Sequence, residues 1–163
     1  MSALLPDGIQ VRWWGHSTFA VTGPKPGQKF LFDPFLANNP RFPKEHDEEV
    51  RREGAYDALV ITHPHYDHFD DVLPLLRGDM RFKAISSFEI GSWLKEHEVP
   101  ESQVVWFNTG GTILFNDVRI TMTAAVHSSS VTDKTVPTRS ASRSATSCAS
   151  PTASRSTTPA TRR

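Results

Sequence analysis

Residues 58–68 read Ala58-Leu59-Val60-Ile61-Thr62-His63-Pro64-His65-Tyr66-Asp67-His68. The first five form a continuous apolar run, which predicts a strand buried on both faces rather than one that alternates between core and solvent. Behind it come three imidazoles and one carboxylate within six residues. Packing does not explain four such groups at the mouth of a buried strand. Imidazole and carboxylate suit Zn²⁺, with Mn²⁺ and Fe also accepted. Donors crowded this closely serve two cations, because a tight loop points alternate side chains in different directions. Two cations about 3.5–4 Å apart can hold a hydroxide between them and polarise the bond it attacks. A decorative surface cluster is the bland alternative. It does not account for the strand that precedes the run or for the aspartate beside the last histidine.

Outward from this stretch, strands and helices alternate. Ile9 to Trp14 and Thr18 to Val21 read as paired strands around Gly15-His16-Ser17, and Gly23 to Gly27 is a turn cluster. Lys29 to Phe32 is a short strand ending at Asp33-Pro34. A residue before proline is pushed out of the helical region, so Asp33 is expected at the strand's end with its side chain free for use. Leu36 to Tyr56 is a polar excursion, with one or two helical turns in Glu45 to Glu53. A helix starts at Val72, with Asp71 as its N-cap and Pro74 in the first turn. Phe82 to Ile85 is a strand, Ser87 to His97 an amphipathic helix, and Val104 to Phe107 another strand. Gly110-Gly111 and Asn116-Asp117 are hairpin signals bracketing Thr112 to Phe115, ahead of a long strand, Val118 to Ala125. The pattern predicts a layered α/β sandwich.

Other histidines are ambiguous alone. His127 ends a strand, as His63 does, but a single histidine there is more often structural or exposed than a ligand. His16, after Trp13-Trp14-Gly15, reads equally well as a packed, hydrogen-bonded residue, and Asp33 as a turn cap. His46 and His97 lie in polar segments and carry no assignment.

The 163 residues allow one domain, and the formal net charge of zero averages two unlike parts. Up to Val136 there are 13 Lys+Arg and 18 Asp+Glu, so 13 − 18 gives −5; from Pro137 onward there are 5 Arg and no acid. The acidic body gives no electrostatic reason to bind nucleic acid. The basic tail has no aromatic residue on which bases would stack. That tail, 137–163, consists largely of Ser, Thr, Ala, Arg and Pro, lacks Leu and Ile, and is expected to be disordered, leaving 1–136 as the folded portion. Cys148 is the single cysteine, so no disulfide forms within the chain and a reducing, cytoplasmic setting is expected. No apolar stretch approaches the roughly 20 residues of a membrane span.

Taken together, Trp14-Gly15-His16-Ser17-Thr18-Phe19, Phe32-Asp33-Pro34-Phe35, Thr62 to His68, Asn108-Thr109-Gly110-Gly111-Thr112 and Ala125-Val126-His127-Ser128-Ser129 resemble the metallo-β-lactamase superfamily. Within it, they are similar to the metal-dependent hydrolases related to L-ascorbate-6-phosphate lactonase. The resemblance implies an αββα sandwich of which this chain supplies roughly the N-terminal half. It implies that His63, His65 and His127 bind a first metal, and Asp67 and His68 a second. Asp67 and His68 thereby serve catalysis. Asp33 would be a supporting carboxylate that orients the ligands, with His16 near the site. The cofactor implied is Zn²⁺, two per complete domain. The activity implied is hydrolysis of a small-molecule lactone, ester or phosphodiester by a metal-bound hydroxide.

The same resemblance implies a second half with a bridging aspartate in a His-Ala-Gly-Asp-Thr-like segment and a further histidine, yet no Asp or His follows Asp133. The tail itself suggests why. Ser156 to Arg162 can be written TCN ACN ACN CCN GCN ACN CGN. Started one nucleotide earlier, the same bases are compatible with Ile-Tyr-His-Ala-Gly-Asp-Thr. A frameshift between about Asp133 and Pro151 is therefore expected. The corollaries are an uncovered apolar face prone to association of copies, weak binding of one metal, a second position with only two protein ligands, and impaired turnover. The contrasting reading is a non-catalytic remnant or single-metal-binding module.

Overall fold

The computed structural model describes residues 2–5, 8–131 and 148–155. A seven-stranded sheet runs in sequence order through β1 (Ser2–Leu4), β2 (Gln10–Gly15), β3 (Thr18–Thr22), β4 (Lys29–Phe32), β5 (Ala58–Val60), β6 (Lys83–Ser87) and β7 (Val104–Phe107). Its first four strands are antiparallel, and β4 to β7 are parallel. The second sheet is three-stranded, with β9 (Val118–Ala125) between β8 (Thr112–Phe115) and β10 (Cys148–Arg155).

Period-2 alternation divides the core. Leu31, Leu59 and Ala84 belong to a cluster that includes Val72, Leu75 and Leu76 of α3 (Val72–Gly78) and Ile90 and Leu94 of α4 (Phe88–Glu96). Their strand neighbours Phe30, Ala58, Val60 and Ile85 instead pack with Ile120 of β9 and with Ile113 and Phe115 of β8. Each residue of β5 is buried, as its unbroken apolar run requires. The result is helices on one face of the large sheet and a second sheet on the other. That second layer leaves β2 and β3 partly bare. Trp13 and Phe19 are register partners, Phe19 in turn pairs with Phe32, and Trp13 and Phe19 are among the exposed large hydrophobic residues.

Local chemistry sets the turns. Asn116 (φ 47°) and Asp117 (φ 65°) carry the two positive φ angles of a tight β8–β9 hairpin. Ser87 caps α4, its hydroxyl accepting from the Ile90 N–H at 3.4 Å. Gly91 lets α4 lie against β7, since a Cβ there would stand 2.3 Å from Trp106.

Two expectations need correction. Asp71 occupies the N-cap position of α3 but makes no side-chain cap bond. Its buried carboxylate instead accepts from the Ala37 N–H at 3.0 Å and from the Leu36 N–H, and it pairs with Arg51 of α1 (Asp47–Arg51). It thus clamps the polar excursion to the core, where a cap would serve only its own helix. Within the tail, Cys148–Arg155 pairs antiparallel with β9 from Ala125 back to Val118, in a stretch whose composition predicts no ordered element. Strand addition at an open sheet edge uses backbone donors and acceptors and so does not need apolar side chains. The rest of the expected disordered tail, 137–147 and 156–163, lies outside the described residues.

Candidate metal centre

The chain leaves β5 under control: the Ile61 N–H donates to the Ile85 carbonyl at 2.9 Å, delivering Thr62 and His63 to the sheet's C-terminal end in a fixed orientation. His65 is extended, and α2 (Tyr66–Phe69) follows at once. This single-turn helix is not legible in the sequence, because four residues carry no helical periodicity. It sets Asp67 and His68 about 100° apart, so that they diverge from each other and from the preceding histidines.

His63, His65 and His127 come together, each offering a ring nitrogen, all within 4.8 Å of one another. His63 Nε2 lies 3.0 Å from His65 Nδ1. That is close to the roughly 3.3 Å between two ligands of one tetrahedral zinc with bonds of about 2.0–2.1 Å. His127, carried two residues past the end of β9, packs edge-on against both rings at centroid distances of 4.8 and 5.0 Å. Burial pushes the His63 pKa down to about 4, helped by the facing imidazoles of His68, His65 and His127 and opposed by Asp67. His63 is therefore neutral near pH 7, the form in which imidazole binds cations.

A second set consists of His16, Asp67 and His68. His16 Nε2 is 3.3 Å from Asp67 Oδ2. The family resemblance implies two protein donors for the second position, Asp67 and His68, with His16 nearby; in the structure a His16 ring nitrogen lies within 4.8 Å of a donor atom of each. Its turn is held by a β-bulge between Trp13 and Gly15 and by positive φ angles at Gly15 (100°) and His16 (50°). Only glycine fits at position 15, since a Cβ there would lie 2.8 Å from the Arg41 backbone.

Asp33 links the sets. It sits in the left-handed region (φ 46°), outside the right-handed helical region as proline requires, but its carboxylate is engaged rather than free. It accepts from the Thr62 N–H at 2.7 Å, from the Thr62 hydroxyl at 2.7 Å and from His68 Nδ1 at 2.9 Å. A carboxylate only accepts, so the Thr62 hydroxyl and His68 Nδ1 both donate. With its own proton committed to Asp33, Thr62 Oγ1 accepts from His63 Nδ1 at 3.0 Å. One buried carboxylate thereby fixes two tautomers and leaves Nε2 of both His63 and His68 with a lone pair to offer. The sequence alone gives Thr62, Ser17 and Ser128 no role of their own. Ser17 Oγ lies 2.8 Å from His16 Nδ1, and Ser128 Oγ 3.4 Å from His65 Nε2. Their only signal is adjacency to a histidine. His46 pairs with Glu49 and His97 stacks on Trp93, and neither joins a donor set.

Residues 28–149 match the β-lactamase superfamily domain. The chain belongs to the metallo-β-lactamase superfamily. Among its superfamily relatives is a UPF0173 metal-dependent hydrolase of Roseiflexus castenholzii. It is 41% identical over 123 residues, which cover 76% of this chain and 49% of that protein. The chain spans about half the length of the curated relatives it matches. The solved structure of Igni18, a metallo hydrolase from Ignicoccus hospitalis, is similar at a TM-score of 0.58 and 27% identity, covering 79% of this chain and 53% of that one. CmlA, a diiron β-hydroxylase from Streptomyces venezuelae, shares the superfamily fold at a TM-score of 0.50 and 22% identity, covering 73% of this chain and 24% of its own. No described helix is long and apolar enough to cross a membrane.

Proposed function

We propose that this chain carries the cation-binding half of a metal-dependent hydrolase acting on a small lactone, ester or phosphodiester. The observation that carries the reading is the convergence of His63, His65 and His127 beside His16, Asp67 and His68 at one end of the sheet. The residues fit divalent cations: the donors are imidazole and carboxylate, and the tautomers of His63 and His68 are set by Asp33 for ligation. Zn²⁺ is the first expectation, with Mn²⁺ and Fe alternatives; the diiron CmlA supports keeping iron among them. When bound, such cations supply Lewis acidity and lower the pKa of water.

The chain's own residues do the rest. His63 and His65 hold the deeper position, and the strand end after β5 keeps them in place. Thr62 and Asp33 prevent the His63 and His68 rings from turning. Asp67, partly exposed, brings the negative charge that an otherwise all-imidazole centre lacks.

The tail is proposed to be translated out of frame, which the encoding DNA tests directly. Stop codons in the alternative frame just ahead of the Ser156–Arg162 codons, or no Gly-Asp pair there, would end that idea. The functional reading is tested by Zn²⁺ and Co²⁺ titration with assays on lactone, ester and phosphodiester model substrates. His127→Gln should lower cation affinity and residual hydrolysis together. Unchanged cation binding in that variant would overturn the reading in favour of a remnant whose His63, His65 and His127 hold no cation.

A further inference from the structure

We infer that His16 is a direct ligand, so that this chain by itself assembles a second three-donor cation site from His16, Asp67 and His68. This rests on the metal-dependent reading above and goes beyond it, because the family resemblance implies for the second position only Asp67 and His68 from this half.

Three observations carry it. The donor atoms of the three side chains all lie within 4.8 Å of one another, as do those of the tri-imidazole set. The 3.3 Å between His16 Nε2 and Asp67 Oδ2 is long for a charge-assisted hydrogen bond but matches the spacing of two ligands around a shared tetrahedral cation. Each imidazole also has its other nitrogen engaged: His68 Nδ1 donates to Asp33, and His16 Nδ1 lies 2.8 Å from Ser17 Oγ. A serine hydroxyl can accept from Nδ1, which leaves the Nε2 lone pair aimed at the cation. This is the supporting arrangement that metal-ligating histidines use.

The competing account is an ordinary surface ion pair. His16 and Asp67 side chains are 41% and 30% exposed, and such pairs contribute little. The backbone argues against it. His16 at φ 50° stands in the left-handed region that non-glycine residues rarely adopt, a cost that a weak exposed pair does little to offset. The turn is nevertheless locked from both sides. Gly15 is wedged against the Arg41 backbone, and Trp13 Nε1 donates to the His16 carbonyl at 2.8 Å. The ring also packs edge-on against Phe35 and His68, at 5.6 and 5.5 Å. A turn held this firmly positions a side chain for something more than a weak solvated contact.

The test is equilibrium dialysis of the 163-residue chain against Co²⁺, read by bound stoichiometry and by the ligand-field absorption bands. The wild-type chain should bind two Co²⁺ per chain. His16→Gln should lose one equivalent and the bands belonging to it, while keeping the equivalent held by His63, His65 and His127. His127→Gln should lose the other equivalent, and circular dichroism of each variant should match the wild type. His16→Asn serves as the second variant if the glutamine form does not fold. A wild-type chain that binds a single Co²⁺, removed by His127→Gln and untouched at position 16, overturns this inference and leaves the functional reading standing. Binding that ignores His127 overturns the functional reading itself.

Discussion

The two donor sets are neighbours, with the His63 and His68 rings 4.0 Å apart, but the fold builds them by different means. His63, His65 and His127 stand just beyond the ends of β5 and β9, strands that pack on the inner core, and His63 is buried. His16, Asp67 and His68 stand on a strained turn and a one-turn helix, closer to solvent, and mix charge types. A set anchored to strands is preorganised by the core. One anchored to a turn relies on local locks: a glycine without room for a Cβ, a tryptophan holding a carbonyl, a serine behind a ring. The difference predicts a deeper, tighter position and a shallower, more exchangeable one.

The largest effect should come from striking the rigid set. His63→Ala should cost more than about 100-fold in affinity for the first cation, exceeding the loss typical of a supporting residue. A much smaller loss, measured by competition with a chromophoric chelator, would break the ranking of the two sets.

Asp33→Asn comes next, since it touches both. Asparagine cannot accept as a carboxylate does from Thr62 and His68, so affinity should fall about 10–100-fold at both positions. Loss at the second position alone would show that the relay through Thr62 to His63 does not operate.

Asp71→Asn sharpens the comparison from outside. The buried carboxylate clamps residues 36–37 and Arg51 to α3. The substitution should lower unfolding free energy by about 2–3 kcal/mol, seen in urea denaturation. The relative affinities of the two positions should stay the same.

The smallest effect is a pH control. Hydrogen bonds from the Arg81 side chain hold the Asp79 carboxyl well below its ordinary value, at about 2, with the Arg81 and Gly54 N–H groups adding to this against the cost of burial. A folded-state pKa below the unfolded one means that the unfolded chain binds more protons in between. The contribution is present above about pH 4 and disappears as pH falls through about 2. Asp79→Asn should therefore lower the melting temperature by about 5 °C at neutral pH, with the gap to the wild type closing towards pH 2.

Much of the architecture is legible in the chain. The unbroken run Ala58 to Val60, the Asn116-Asp117 hairpin and the Ser87 start of α4 each announce an element through a local rule, and each appears where that rule places it. Local rules fail where a side chain's partner is distant. Asp71 looks like a helix cap because its neighbours in sequence are helical, yet its partners lie 20, 34 and 35 residues away. Cys148–Arg155 looks structureless because composition measures side chains, whereas its pairing to β9 is made by backbone.

The sequence by itself determined the chemistry. Three imidazoles and a carboxylate behind a buried strand specify a cation-binding mouth, because donor type and spacing are properties of a few consecutive residues. Only the tertiary structure decided which donors come within reach of one another. His16 stands 51 residues before Asp67 and His127 stands 59 residues after His68, and nothing local encodes distances of that kind. They are set by the packing of whole strands and by a bulged turn, whose geometry follows from the sum of the core's contacts rather than from any one segment.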